Sequence, residues 1–180
     1  MAERLIPIQI PDQLFSVAET MHFQGTYEID QVEAGPDVYA FQGPVSWEAQ
    51  ITNTGDALLV AGSANAQVST ECARCLDPVV LDLQGVIEGY FLIGDDAEEP
   101  EDMVEDEFDT LSEDGVLDME PLVMAAILLE VPLIPLCTDD CAGLCPQCGA
   151  NLNQEQCDCQ PEPEVAPENP FAVLANLSFD

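Results

Sequence analysis

Between residues 45 and 52 the chain alternates without a break. Val45, Trp47, Ala49 and Ile51 are apolar, and Ser46, Glu48, Gln50 and Thr52 between them are polar. A period of two is that of a strand with one face buried and one in water. Asn53-Thr54-Gly55-Asp56 is a turn signal. A second strand-like run covers Ala57 to Glu71, and Leu76-Asp77-Pro78 interrupts it. From Val79 to Ile93 the alternation returns, with Val79, Leu81, Leu83, Ile87, Phe91 and Ile93 on one face. Met21 to Asp30 supplies a further strand, and Asp12 to Glu19 a short helix with Asp12 as N-cap. Strands of this length and spacing predict an antiparallel sheet or small barrel over residues 1–93.

The pattern then changes twice. Asp95 to Asp114 holds twelve acidic residues and no basic one. Such a run repels itself, so 94–117 reads as an acidic linker or loop. Asp118 to Glu130 reads as a helix, within a helical segment 118–135 that packs on the sheet. Asp118 suits the N-cap and Pro121 the first turn, while Pro132 and Pro135 stop it. This helix is apolar nearly all round, which predicts burial, with Met119 and Met124 as core filling. A cysteine-rich module follows over 136–160. Residues 161–180 read as an extended Pro/Glu-rich tail with a short terminal helix, from the spacing of Phe171, Leu174 and Leu177. The class is α+β: an N-terminal antiparallel sheet or small barrel with one buried helix, and a C-terminal zinc-knuckle module.

Charge narrows the function. The 180 residues carry 36 acidic and 2 basic side chains, Arg4 and Arg74, for a net −34. Gripping nucleic acid requires Lys and Arg to displace counterions from phosphate, and anionic lipid surfaces make the same demand. Direct nucleic-acid binding and membrane association are therefore not expected. The field favours a basic partner instead. The start, MAERLIPIQIPDQ, lacks the pattern of a secretory signal. The longest apolar run, Leu122 to Leu129, is far short of the roughly 20 residues of a membrane span. A cytoplasmic, reducing location is expected, where structural disulfides are rare.

Eight cysteines then need another explanation. They stand as Cys72-x2-Cys75 and as Cys137-x3-Cys141-x3-Cys145-x2-Cys148-x8-Cys157-x1-Cys159. Cys145-Pro-Gln-Cys148-Gly149 has the zinc-knuckle form. Two intervening residues let both thiolates face one ion, and Gly149 permits a left-handed turn beneath them. Tetrahedral zinc needs two more thiolates, from Cys157 and Cys159 or from Cys137 and Cys141. Cys72 and Cys75 fall at a hairpin turn, where a second knuckle fits. The eight serve one or two structural Zn2+ ions, with the pairing left open. Arg74, between Cys72 and Cys75, is placed to offset thiolate charge together with nearby N–H groups. A site filled by four thiolates has no open position for chemistry. His22 has no second His or Ser/Asp partner in view, so no enzymatic role is expected. The alternatives are iron–sulfur ligation, and thiol redox chemistry at a C-x-x-C pair, which wants a βαβ setting.

ECARCLDPV, a helix ending in VPLIPLC, the block CTDDCAGLCPQCGANLNQEQCDC and the ending NPFAVLANL together resemble the YceD family of large ribosomal RNA subunit accumulation proteins. The resemblance spans roughly residues 68 to 177. It implies a bacterial or plastid-type factor needed for normal large-subunit rRNA levels, with no established catalytic residue. By position, the family's first cysteine pair corresponds to Cys72 and Cys75, and its later block to Cys137, Cys141, Cys145, Cys148, Cys157 and Cys159. The expectation is a non-enzymatic ribosome-biogenesis factor that binds a basic partner, a large-subunit ribosomal protein. The rival readings are a direct rRNA binder and a thiol-redox protein.

Overall fold

The structure, a computed structural model, describes residues 6–94 and 108–159. The alternating run at 45–53 is strand β5 (Val45–Asn53), and its apolar members Val45, Trp47, Ala49 and Ile51 are all buried. Strands β6 (Ala57–Glu71) and β7 (Pro78–Leu92) form a long hairpin, paired without a slip from Ala57↔Leu92 to Glu71↔Pro78. Register is held because a one-residue shift would turn Val60, Ala64, Val68, Leu83 and Ile87 out to water.

Four more strands complete the sheet. β2 (Thr20–Tyr27) lies antiparallel on the free side of β5. Beyond the end of β5, β4 (Asp37–Phe41) takes over the edge of β6, with Ala40 opposite Ser69, and β3 (Gln31–Ala34) pairs with β4. β8 (Asp109–Thr110) runs parallel to the end of β7. Apart from this sheet, β1 (Pro7–Gln9) pairs with β9 (Val116–Asp118).

The sheet is open, and the barrel alternative is not realised. The strand order β2-β5-β6-β4-β3 does not return on itself, and the outer edge of β2 has no strand partner among the described residues. Closure is unnecessary because other elements cover the apolar face. Helix α1 (Glu120–Glu130) crosses β7 and β6, burying Val123, Ala126 and Ile127, while Leu117 and Met119 fill the space beside it. Two glycines make room, one for the helix on the sheet and one for the Trp47 ring lying over the neighbouring strand. A Cβ on Gly85 would come within 2.0 Å of the Ala126 carbonyl oxygen, so helix backbone rests on strand backbone there. At Gly25 a Cβ would meet the Trp47 ring at 2.8 Å.

Several boundaries differ from the sequence reading. Residues 109–118, expected as linker and helix start, carry β8 and β9. The helix begins at Glu120 with Met119 as N-cap. Asp118 ends β9 opposite Pro7, and its Oδ1 accepts from the N–H groups of Ile6 (2.9 Å) and Glu120 (3.1 Å). Its carboxylate thus ties strand to helix from the position before the N-cap. The expected helix at 12–19 is one 3-10 turn, Asp12–Phe15, behind Pro11. Buried Asn53 holds it, donating from Nδ2 to the Leu14 carbonyl at 2.8 Å. Nor is α1 buried all round: Leu128 and Leu129 face outward, because the sheet covers only one side of the helix. No described helix is long and apolar enough to cross a membrane. The expected tail and terminal helix of 161–180, and the acidic stretch 95–107, lie outside the described residues.

Gly85→Val should displace α1 and lower stability by about 3 kcal/mol or more. Gly43→Val, whose added Cβ would meet nothing within 4 Å, should cost far less. Chemical denaturation of the two variants checks this.

Candidate metal centre

The hairpin β6–β7 turns at residues 72–77 and carries Cys72 and Cys75 there. The segment leaving α1 returns to this tip, where the Ala73 N–H donates to the Pro135 carbonyl at 2.8 Å. That contact delivers Cys137 and Cys141. Cys72 Sγ lies 3.8 Å from Cys141 Sγ, and Cys75 Sγ lies 3.7 Å from Cys137 Sγ. All four sulfurs fall within 4.8 Å of one another, and so do those of Cys145, Cys148, Cys157 and Cys159. A disulfide needs about 2.0 Å. Sulfurs held at about 2.3 Å from a tetrahedral ion stand about 3.8 Å apart. The edges of 3.8 and 3.7 Å fit such an ion, and each cluster could hold one. Sulfur-only donors in a tetrahedron suit zinc or iron.

The two knuckles are copies of one turn. The Cys72 N–H donates to the Asp77 carbonyl at 2.8 Å, and the Cys145 N–H to the Ala150 carbonyl at 2.8 Å. The Leu76 N–H returns to the Cys72 carbonyl at 2.9 Å, and the Gly149 N–H to the Cys145 carbonyl at 2.9 Å. The residue after the second cysteine is left-handed in both, Leu76 at φ 61° and Gly149 at φ 75°. Glycine takes that conformation freely, whereas leucine is strained in it.

Each turn aims N–H groups at its first sulfur. Burial opposes ionisation of Cys72, but the main-chain N–H groups of Arg74 and Cys75 outweigh it and lower the pKa to about 6. At Cys145 the N–H groups of Cys148 and Gln147 lower the pKa to about 6. Other thiols go the opposite way. At Cys137 the sulfur of Cys141 and burial raise the pKa. At Cys75 an N–H from Asp77 favours the thiolate, but burial and the surrounding sulfurs prevail and raise it. At Cys157 the Cys159 N–H is likewise outweighed by the Cys145 sulfur and burial. Cys159 is pushed up to about 12 by Cys148 and by burial. Each cluster therefore offers one ready thiolate and holds protons that a cation would expel.

The centres differ in depth and are wired together. In the inner one Cys72, Cys75 and Cys141 are buried; in the outer one only Cys145 is. The loop of the outer centre reaches the inner one. Asn153 Nδ2 donates to Cys141 Sγ at 3.3 Å, and its Oδ1 accepts from the Ala142 N–H at 2.8 Å. Asn151 Nδ2 donates to Asp77 Oδ2 at 2.8 Å, within the inner knuckle.

The structure thus groups all eight predicted cysteines, with Cys137 and Cys141 joining Cys72 and Cys75 rather than the nearer Cys145 and Cys148. Arg74 lies beside the inner centre, but its Nη1 donates to the carbonyls of Cys141 (3.0 Å) and Asp139 (3.4 Å). The thiolates are served by main-chain N–H groups, and the guanidinium clamps the ligand loop. His22 is exposed on β2, apart from every cysteine, beside a surface hollow of about 540 Å³ that Glu48 and Gln50 also line. Sequence reasoning missed Asn151 and Asn153. Their short spacing inside the Cys148–Cys157 loop was the available signal.

Two outcomes follow. Metal loading at pH 7 should release at least two protons per ion, from Cys75 and Cys137 in the inner centre and from Cys157 and Cys159 in the outer. Because those thiols hold their protons more tightly than ordinary ones, affinity should rise with pH through neutrality. Calorimetry in buffers of different ionisation enthalpy measures both effects. Asn153→Ala should weaken the inner centre by about tenfold or more, read by competition with a chromophoric chelator.

Comparisons with known proteins place the chain in a family. The family described as large ribosomal RNA subunit accumulation protein YceD matches residues 60–178, which include every cysteine of both centres. An uncharacterised protein of Mycobacterium tuberculosis is 32% identical over 146 residues, covering 81% of this chain and 67% of its own length. One from Mycobacterium leprae is 31% identical over 117 residues, 64% of this chain and 52% of its own. The chloroplastic YceD homolog 1 of Arabidopsis thaliana, named as a large ribosomal RNA subunit accumulation protein, is 32% identical over 101 residues, 51% of this chain and 30% of its own. No solved structure matches the chain. With nearly all of the hairpin, the helix and both cysteine centres inside a match that covers more than half of its length, the chain belongs to the YceD family.

Proposed function

We propose that this protein is a non-enzymatic factor that supports large-subunit rRNA accumulation by binding a basic ribosomal protein before that protein meets RNA. The observation that carries the proposal is the charge: 36 acidic against 2 basic side chains, in a member of a family described by rRNA accumulation. A surface of that sign attracts cationic proteins at long range and repels the phosphate backbone. Chaperoning the basic component accounts for an effect on RNA without contact to RNA. Two structural Zn2+ ions, one held by Cys72, Cys75, Cys137 and Cys141 and the other by Cys145, Cys148, Cys157 and Cys159, fix the C-terminal fold in this reading. With all four positions taken by thiolates, neither ion leaves room for substrate. Eight unpaired cysteines suit a reducing compartment such as the cytoplasm.

Purified large-subunit ribosomal proteins, presented one at a time, should include a ligand whose affinity falls tenfold or more between about 50 and 200 mM salt. Large-subunit rRNA fragments should not shift in a gel at the same concentrations. Absence of any salt-sensitive protein ligand, or tight RNA binding at moderate salt, would overturn the proposal.

A further inference from the structure

Four large aliphatic side chains face water within the seven residues 128–134: Leu128, Leu129, Leu133 and Ile134. Leu129 is 82% exposed and Leu133 97%. They sit on a fixed support. The hydroxyl of Tyr39 donates to the Pro132 carbonyl at 3.1 Å, and the Ala73 N–H to the Pro135 carbonyl. Pro132 and Pro135 also restrict the backbone around them. One end of the ridge is the last turn of α1, and the other leads into the inner cysteine centre. A rigid apolar patch with a polar rim is the usual form of a docking surface.

The rim states what kind of partner fits. Glu130, Asp139 and Asp140 flank the ridge in sequence, and all three are exposed. Arg74 is the one Lys or Arg among the described residues, and its guanidinium is engaged by the carbonyls of Cys141 and Asp139. A second copy would set these carboxylates against their own kind, with a net −34 on each molecule. We infer that the ridge docks an amphipathic segment of a cationic protein: its aliphatic side chains pack on Leu128, Leu129, Leu133 and Ile134, and its Lys or Arg side chains meet Glu130, Asp139 and Asp140. This surface deepens the function proposed above and rests on it.

The test uses two synthetic probes of equal charge, an amphipathic Leu/Lys peptide and a scrambled peptide of the same composition. The full chain should prefer the amphipathic peptide. The double variant Leu129→Ser, Leu133→Ser keeps the net charge and touches no core residue. It should weaken that binding about tenfold or more and leave the scrambled peptide unaffected, with an unchanged circular dichroism spectrum. Equal binding of the amphipathic peptide by variant and parent overturns the docking surface while the acidic-partner reading stands. If the parent binds neither peptide at low salt, the acidic-partner reading itself falls. A dimer in native mass spectrometry that the double variant dissolves would make the ridge a self-interface. Tighter peptide binding after Phe171→Ser, Leu174→Ser would make it the seat of the chain's own tail. Either result overturns the proposal.

Discussion

Two pairs of cysteines 62 to 69 residues apart in sequence converge at the tip of the β6–β7 hairpin, and the rest of the structure is arranged around that meeting. The hairpin runs on for several residues past the Val45 end of β5, where among the described strands only β4 pairs with β6. The segment after α1 has two prolines and few main-chain bonds of its own. Neither part could hold its shape unaided. A cross-link that closes a loop of this size removes about 4 kcal/mol of unfolded-chain entropy in the simplest treatment. Four sulfurs held on one ion would supply such a link without a disulfide. The hydrogen bonds from Asn151 and Asn153 then make the outer cluster an extension of the inner one rather than a separate bead.

Acidic character is unevenly spread. On the open face of the sheet, the outward positions of β5 and β7 are mostly Ser, Thr, Gln and Val, with Glu48, Asp82 and Glu88 as the charged exceptions. The densest run of carboxylates in the sequence, twelve from Asp95 to Asp114, lies outside both strands. Strand positions restrict the choice, because like charges directly opposite one another on neighbouring strands destabilise a sheet. The outward side of these two strands is thus mostly uncharged.

Much of this was legible in the sequence. Alternation gave β5 and the β7 arm of the long hairpin, since a half-buried strand leaves its period in the residues, while the β6 arm showed only as a strand-like run between turn signals. The C-x-x-C pairs gave the two turns. Other features left no such trace. β1 and β9 are three residues each, too short for a period, and they exist because Ile8 and Leu117 meet across a sequence separation of more than a hundred residues. Asp118 looked like a cap because a carboxylate beside a helix start does the same hydrogen bonding whether it ends a strand or begins a helix. The outward Leu128 and Leu129 were read as core, since hydropathy cannot say that the sheet covers one side only. Cysteine pairing was open because all eight ligands are chemically alike. Chain proximity would have joined Cys141 to Cys145, whereas the β-hairpin claims Cys141.

The outer edge of β2, without a strand partner among the described residues, carries a last consequence. Many proteins blunt an exposed edge with a lysine or a proline at the strand itself. Thr20–Tyr27 has neither, and the chain has no lysine at all. What keeps two such edges apart is the repulsion between whole molecules of like charge. That protection is collective and titratable. It fades as the medium approaches the isoelectric point near 4.1, so acidification of the surroundings favours pairing of two such edges, a contact that closes on itself as a dimer.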